Sequence, residues 1–583
     1  MTMLGVTLGV LAPMLARFDT YGFHDWDFSS SARYITVLSL KRYHEAPFWQ
    51  PWLCGGFPSW GHYESSTNLV SPYLPVYLLA DLRTALRVEI LGSALTGLAG
   101  SYLFARRFTK SVALATFVAI VYTLNGRWAL QTATGHTWHL QYGWTPWVFW
   151  FFDRGESTGN HLEFAYAGAV LALMVYLGAL YPLPQTALAL GVYALLLAVA
   201  RRRLRPLIGV AVAGVTAVGL GAAKLFAVLD GLGRVPRLIE SKEVIGLREL
   251  VVMMTEPKQS YYTPRPIAVP AYGWHEWGIY VGSFAFACLI VGLFSARGAR
   301  ENALRFLGLL FLLLGFGAFH EHSPWALLHK LPIFASQHVP SRFLFPMVLF
   351  LGIAFVSWAS RWVDRAISSR RWLDVALLVP VIWVGVDIAT VSNKPISEAF
   401  WMERPDQLPE APLFEQHQKA AAQYKRRDWA PPILLSMFAN KGVIECYGID
   451  LNFKAIGAIA KESPDFKGNA YVAQGTGTAE VVEWSPNRAT VKLHDASPDA
   501  LVVYNMNWFP SWTANGKPAL DYQHAVAARV PAGTDTVVFR YFPRTLKYSL
   551  PVTLLTLGAL AAIIVRRRRR ARARSGTDAG ITE

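Results

Sequence analysis

Apolar stretches recur along the chain from its first residues to Thr390 and once more near the C-terminus, each approaching the ~20 residues that cross a hydrocarbon core as a helix. They predict spans at Met1–Ala16, Arg87–Ala105, Ser111–Leu124, Leu140–Phe152, Leu162–Leu180, Gln185–Ala200, Pro206–Phe226, Trp277–Leu293, Ala303–Phe319, Leu344–Ala359, Leu373–Thr390 and Tyr548–Val565. The fold class is therefore a polytopic α-helical membrane protein of about twelve spans. Met1–Ala16 runs into Arg17-Phe18-Asp19 without a small-residue cleavage site, so it reads as a retained span and not as a signal peptide.

Three polar stretches are too long to be connectors. Arg17 to Leu86 is dense in aromatics, Pro and Gly, as in Ala46-Pro-Phe-Trp-Gln-Pro-Trp-Leu-Cys-Gly-Gly-Phe-Pro-Ser-Trp. That composition predicts a folded loop on the membrane face, with Trp and Tyr at headgroup level. Ala227 to Glu276 is a second outer loop. Val391 to Lys547 is long enough for a soluble domain. From about residue 475 it alternates short β-rich runs (Ala479–Trp484, Ala489–Leu493, Ala500–Tyr504, Val526–Val530, Thr536–Tyr541) with turns at Asn487, Asn515-Gly516 and Gly533. The chain thus divides into a transmembrane domain over 1–391 with outer loops 17–86 and 227–276, a mainly-β domain over 392–547 that is sandwich-like from 475, and a last helix with a tail over 548–583.

The net charge of +16 would suit nucleic acid, but its placement does not. Arg106, Arg107 and Lys110, then Arg154, then Arg201 to Arg205, then Arg297, Arg300 and Arg305, then Arg361 to Arg371 and finally Arg566 to Arg574 all fall on one set of alternate connections. The opposite short loops hold little more than Arg127, Lys330 and Arg342. This is the positive-inside pattern. It places both termini in the cytoplasm, makes the 392–547 domain extracytoplasmic, and leaves the bilayer, not nucleic acid, as the partner of the Arg-rich tail. Cys54 and Cys446 then lie on the same outer side, where a disulfide is allowed.

Candidate chemistry gathers on that outer side, which holds thirteen of the fourteen histidines. Asp25 and Asp27 flank Trp26 at the mouth of the first span, where a carboxylate is costly unless it serves water, a cation or a substrate. Such a pair suits a general base toward a hydroxyl, or ligands for a divalent cation, magnesium or manganese. Positive charge for a phosphate is offered by Arg342, by Lys224 near the outer end of a span, and by Arg265. His136, His275, Glu276 and His338 complete the expected substrate-binding set. Neither His275-Glu276 nor His320-Glu321-His322 has the HExxH spacing of a zinc site, and no P-loop or dinucleotide fingerprint is present.

These residues together resemble the YfhO-like bacterial membrane proteins and, more distantly, the GT-C glycosyltransferases. The likeness lies in Asp25-Trp-Asp27 after the first span, Gly135-His136 leading to Trp144-Thr-Pro146, and Tyr181-Pro-Leu-Pro-Gln185. It continues in Gly278-Ile-Tyr-Val-Gly282, Pro340-Ser-Arg-Phe343 and the tail Asn507-Trp-Phe-Pro-Ser-Trp-Thr-Ala-Asn-Gly through Val530-Pro-Ala-Gly533 to Tyr541-Phe-Pro543. The resemblance implies a transferase in the bacterial cytoplasmic membrane, moving sugar from a polyprenyl-phosphate donor to an envelope glycopolymer or lipid on the outer face. Asp25 would match the acidic position of the class. Lys224 departs from the family pattern, which more often has a neutral polar residue there. A rival reading is a non-catalytic transporter or assembly protein for a glycopolymer. A transporter places charges and broken helices near the midplane, whereas here they cluster at the outer rim.

Overall fold

The computed structural model of the chain describes residues 1–578 apart from 65–67, 261–271, 296–297, 371, 404–409, 420–432 and 447–455, with backbone alone for 570–578. All twelve expected apolar segments are helical. Seven helices are long and apolar enough to cross a membrane: Leu82–Ala105, Val112–Thr134, Pro182–Arg201, Arg205–Arg234, Pro340–Ser369, Trp372–Ala399 and Leu546–Arg569. The other five segments form the helices Thr2–Ala16, Thr145–Thr158, His161–Tyr176, Ser283–Phe294 and Ala299–Gly315, of 12 to 17 residues. At about 1.5 Å per residue these are shorter than a hydrocarbon core of about 30 Å.

One long helix is broken where it matters. Val112–Thr123 ends at Leu124, and the chain restarts as Gly126–Thr134 because the Asn125 side chain accepts the Arg127 and Trp128 backbone N–H groups. Arg127, expected in a short outer loop, therefore sits in the first turn of a helix whose residues are all buried.

The 17–86 segment also differs from its expectation. It holds the helix Asp25–Lys41, where polar residues (Asp27, Ser29, Ser30, Ser31, Arg33, Thr36 and Ser39) outnumber the apolar Trp26, Ala32 and Ile35 among the buried positions. Arg33 is held by Glu89 of Leu82–Ala105, with Nε 2.8 Å from Oε2, and Tyr77 joins the same carboxylate. A buried ion pair of this kind fixes one register of helix against helix. Trp49 and Trp52 are 0% and 1% exposed and pack on Trp512, Tyr541 and Trp484.

Those partners belong to an antiparallel sandwich. One sheet orders Leu520–Tyr522, Ala525–Val530, Ala500–Asn507 and Ala470–Gln474; the other orders Lys517–Pro518, Trp512–Ala514, Thr536–Tyr541, Arg488–His494 and Thr478–Ser485. Alternating inward residues, Ala489, Val491, Val502, Tyr504, Val526, Val537 and Phe539, form the core between them. The sandwich is tied to the 17–86 segment by Asn507 Nδ2 donating to Cys54 O (2.7 Å) and by the Trp49 N–H donating to Asn487 Oδ1 (3.0 Å), while the Cys54–Cys446 disulfide ties the same segment to the residues that follow Lys441–Val443.

Candidate active site

The site begins where two helices touch end to start. Gly126–Thr134 closes on Gly135 in the left-handed conformation, φ 93°, and a Cβ there would stand 2.1 Å from the Trp26 nitrogen. Only glycine permits that approach. Trp26 Nε1 donates to Thr132 O (2.6 Å) and Ser29 Oγ to Gly135 O (2.8 Å), locking the start of Asp25–Lys41 onto the end of Gly126–Thr134.

His136, the next residue, consequently faces Asp25. Its Nε2 lies 2.6 Å from Asp25 Oδ2. Its Nδ1 lies 2.7 Å from Gln131 Oε1 and 3.7 Å from Glu276 Oε1. Acceptors at both nitrogens favour the doubly protonated ring. Burial alone would lower the pKa of His136, but the hydrogen bond and charge of Asp25, with the charge of Glu276, raise it. Asp25 retains a 27% exposed side chain, so it meets both the buried ring and the solvent side.

Glu276, on the short helix Trp274–Trp277, continues the chain inward. Burial would raise its pKa, but Arg342, His136 and His275 hold it well below the carboxylate range. Arg342 donates Nε to Oε2 at 2.9 Å and Nη2 to Oε1. Its guanidinium carbon stands 4.6 Å from the Trp138 ring centre and 4.1 Å from that of Tyr181, so two aromatic rings fix it. Arg127 donates Nη2 to Trp277 O (3.1 Å) and Ser341 Oγ (3.2 Å). Arg342 Nη1 and Arg127 Nε and Nη1 are buried and find no hydrogen-bond partner among the described residues. An unmet buried donor costs ~1–3 kcal/mol, which an anion lodged between the two guanidinium groups would remove. Asp25 and Glu276 face His136, Arg342 and Arg127, so the balance of the cluster is positive.

Neutral groups surround it. His139, fully buried beside Tyr142 and Phe345, has its pKa driven well below the usual value by burial and by the Arg127, His136 and Arg342 charges. Burial lowers His275 to about 4. His338 accepts from or donates to the Tyr181 hydroxyl at 2.9 Å and is likewise held neutral by burial and by Arg342.

The remaining expected residues fall elsewhere. Asp27 does not join Asp25: two positions apart on a helix, they point to different faces. Its Oδ2 and Oδ1 accept the Ile433 and Leu434 N–H groups at 2.6 and 2.8 Å, capping the helix Ile433–Phe438. The two acids therefore do not fit a shared cation site, and among the described residues no group of three or more His, Cys, Asp or Glu side chains is arranged to hold a metal ion. Lys224, expected beside Arg342, donates Nζ to His62 O at 3.0 Å and lies 5.4 Å from the Trp60 ring centre. The Arg237 charge acts on His62 on one side and on Tyr181, His338 and Arg342 on the other. Arg265 lies outside the described residues. Arg342, expected to await a ligand, is already paired with Glu276. Sequence reasoning missed Arg127, Gln131, Trp138 and Tyr181. The signal for Arg127 was Asn125-Gly126, a cap that turns an apparent loop arginine into a buried one.

Fold and site together define a polytopic helical membrane protein whose candidate site joins a carboxylate–histidine pair to two buried arginines with unpaired donors. No family model matches the chain, and no curated protein does. Among solved structures several chains are similar to it at low identity. The mycobacterial arabinofuranosyltransferase AftD is 15% identical over 76% of this chain and 31% of that one, with a TM-score of 0.44. A point variant of AftD is 14% identical over 92% and 41%, with a TM-score of 0.47. ArnT from Cupriavidus metallidurans bound to undecaprenyl phosphate is 13% identical over 76% and 84%, with a TM-score of 0.40. The chain spans less than half the length of the AftD chains.

Proposed function

We propose that the protein is an inverting membrane glycosyltransferase of the YfhO-like kind. It would move a sugar from a polyprenyl-phosphate donor to an envelope glycopolymer or lipid at the extracytoplasmic face. The observation that carries this reading is the continuous chain Asp25–His136–Glu276–Arg342, with a base at its exposed end and unmet guanidinium donors, joined by Arg127, at its buried end. Asp25 takes the proton of the acceptor hydroxyl as its oxygen attacks the anomeric carbon. The bond from that carbon to the phosphate oxygen breaks, and its electron pair leaves with the phosphate, whose charge Arg342 and Arg127 receive. His136 orients Asp25. The test is mass spectrometry of envelope polymers from cells with and without the gene, joined to transfer by the purified protein from defined polyprenyl-phosphate sugars. An unchanged envelope and no transfer from any such donor would overturn the reading.

A further inference from the structure

Glu276 stands between the two ends of the site, and its geometry leaves it shared. Its Oε2 takes Arg342 Nε at 2.9 Å and Gln131 Nε2 at 3.4 Å, while Oε1 takes Arg342 Nη2 and lies 3.7 Å from His136 Nδ1. The arginine cannot follow the carboxylate, because Trp138 and Tyr181 hold its plane. The backbone of Glu276 is also pinned, its carbonyl accepting from Ser341 Oγ at 2.8 Å and its neighbour Trp277 from Arg127. The Glu276 side chain thus lies between two cations, Arg342 and His136. We infer that Glu276 is a positioning residue that couples anion binding at Arg342 and Arg127 to the Asp25–His136 pair.

The direction follows from charge. An anion reaching Arg342 Nη1 and Arg127 competes with Glu276 for Arg342 and repels it toward His136. A carboxylate drawn closer to Nδ1 makes the imidazolium a weaker donor at Nε2, which leaves the Asp25 carboxylate more basic toward a hydroxyl. Base strength is thereby greatest when the anionic donor is in place. Gln131 keeps the relay aligned, since its amide touches both His136 and Glu276. The coupling rests on the transferase reading for its purpose but not for its measurement.

Linkage makes the coupling readable by binding alone, because what the anion does to Asp25, Asp25 must do to the anion. Affinity for a polyprenyl monophosphate is measured on the full chain in nanodiscs for wild type, Asp25→Asn, Glu276→Gln and the double variant. Asp25→Asn is expected to shift affinity by about fivefold or more in the wild-type background and by less than about twofold when Glu276 is neutral. Glu276→Gln alone should bind the anion more tightly yet turn over more slowly, a split that a merely structural residue does not produce. Should Glu276→Gln fail to fold, Glu276→Asp keeps the charge, shortens the reach and should likewise uncouple the two ends. Equal shifts from Asp25→Asn with and without the Glu276 charge would overturn the coupling while leaving the transferase reading intact. No binding of the monophosphate by the wild type would overturn both.

Discussion

At the scale of single residues, the two acids beside Trp26 have different work because a helix separates them. Asp27 is enclosed, and burial pushes its pKa from 3.8 to about 7 against the two backbone N–H groups that lower it. A carboxyl raised in the folded state contributes stability that is fully present below 3.8 and is lost as pH rises through about 7. Thermal stability of the wild type should therefore fall across that window. Asp27→Asn, which does not titrate, should flatten the dependence at some cost in absolute stability, since its single amide oxygen replaces two acceptors. Melting temperatures of both proteins from pH 4 to 8 check this, and parallel profiles would contradict it. Arg127 is the cleaner probe of the anion end, because Arg342 also carries a buried ion pair whose loss costs ~3–5 kcal/mol. Arg127→Lys keeps a charge but loses the planar fork, and should weaken polyprenyl-phosphate binding by roughly 10-fold with a small change in melting temperature. A titration showing unaltered affinity would remove Arg127 from the site.

At the scale of elements, the apolar helices were legible because burial in lipid or in a neighbour demands continuous hydrophobic runs. The helix Asp25–Lys41 was not, because most of its buried positions are serine, threonine, arginine and aspartate, with only Trp26, Ala32 and Ile35 apolar. Hydrophobic period cannot reveal a face that is buried through hydrogen bonds and an ion pair. The same blindness hid Arg127, whose burial depends on the Asn125 cap, and the packing of Trp49 and Trp52 into the sandwich core. Asp25, His136, Glu276 and Arg342 were each legible as polar residues on one side of the membrane. That they form one chain was not, since residues 25, 136, 276 and 342 meet only through helix packing. The junction at Gly135 carries that packing. Gly135→Ala adds a Cβ 2.1 Å from the Trp26 nitrogen at φ 93°, and should cost ~1–3 kcal/mol in strain while separating His136 from Asp25. Loss of transfer larger than the loss of folded protein is expected. Wild-type turnover in Gly135→Ala would show that the helix contact does not set the site.

At the scale of the whole molecule, the helical body and the sandwich are joined through the segment that carries Asp25. Cys54–Cys446 links positions 392 residues apart, and Asp27 holds the Ile433–Phe438 helix against the same segment. Cross-linking so long a loop stabilises by ~2–5 kcal/mol. Cys446→Ser should loosen the segment that carries Ile433 and Val443, packed on Leu53 and Phe57, more than the helical body, as read by limited proteolysis on heating. Uniform loss across both would assign the disulfide a different role.

The central claim is that Asp25, and not Asp27, is the base, and one paired measurement tests it most directly. Single-turnover transfer from a defined polyprenyl-phosphate sugar is compared for Asp25→Asn and Asp27→Asn at a temperature where both are folded. A fall of ~10²–10⁴-fold is expected for Asp25→Asn, as removal of a general base produces, with turnover near wild type for Asp27→Asn. Near wild-type turnover by Asp25→Asn, or an equal loss in both, would contradict it.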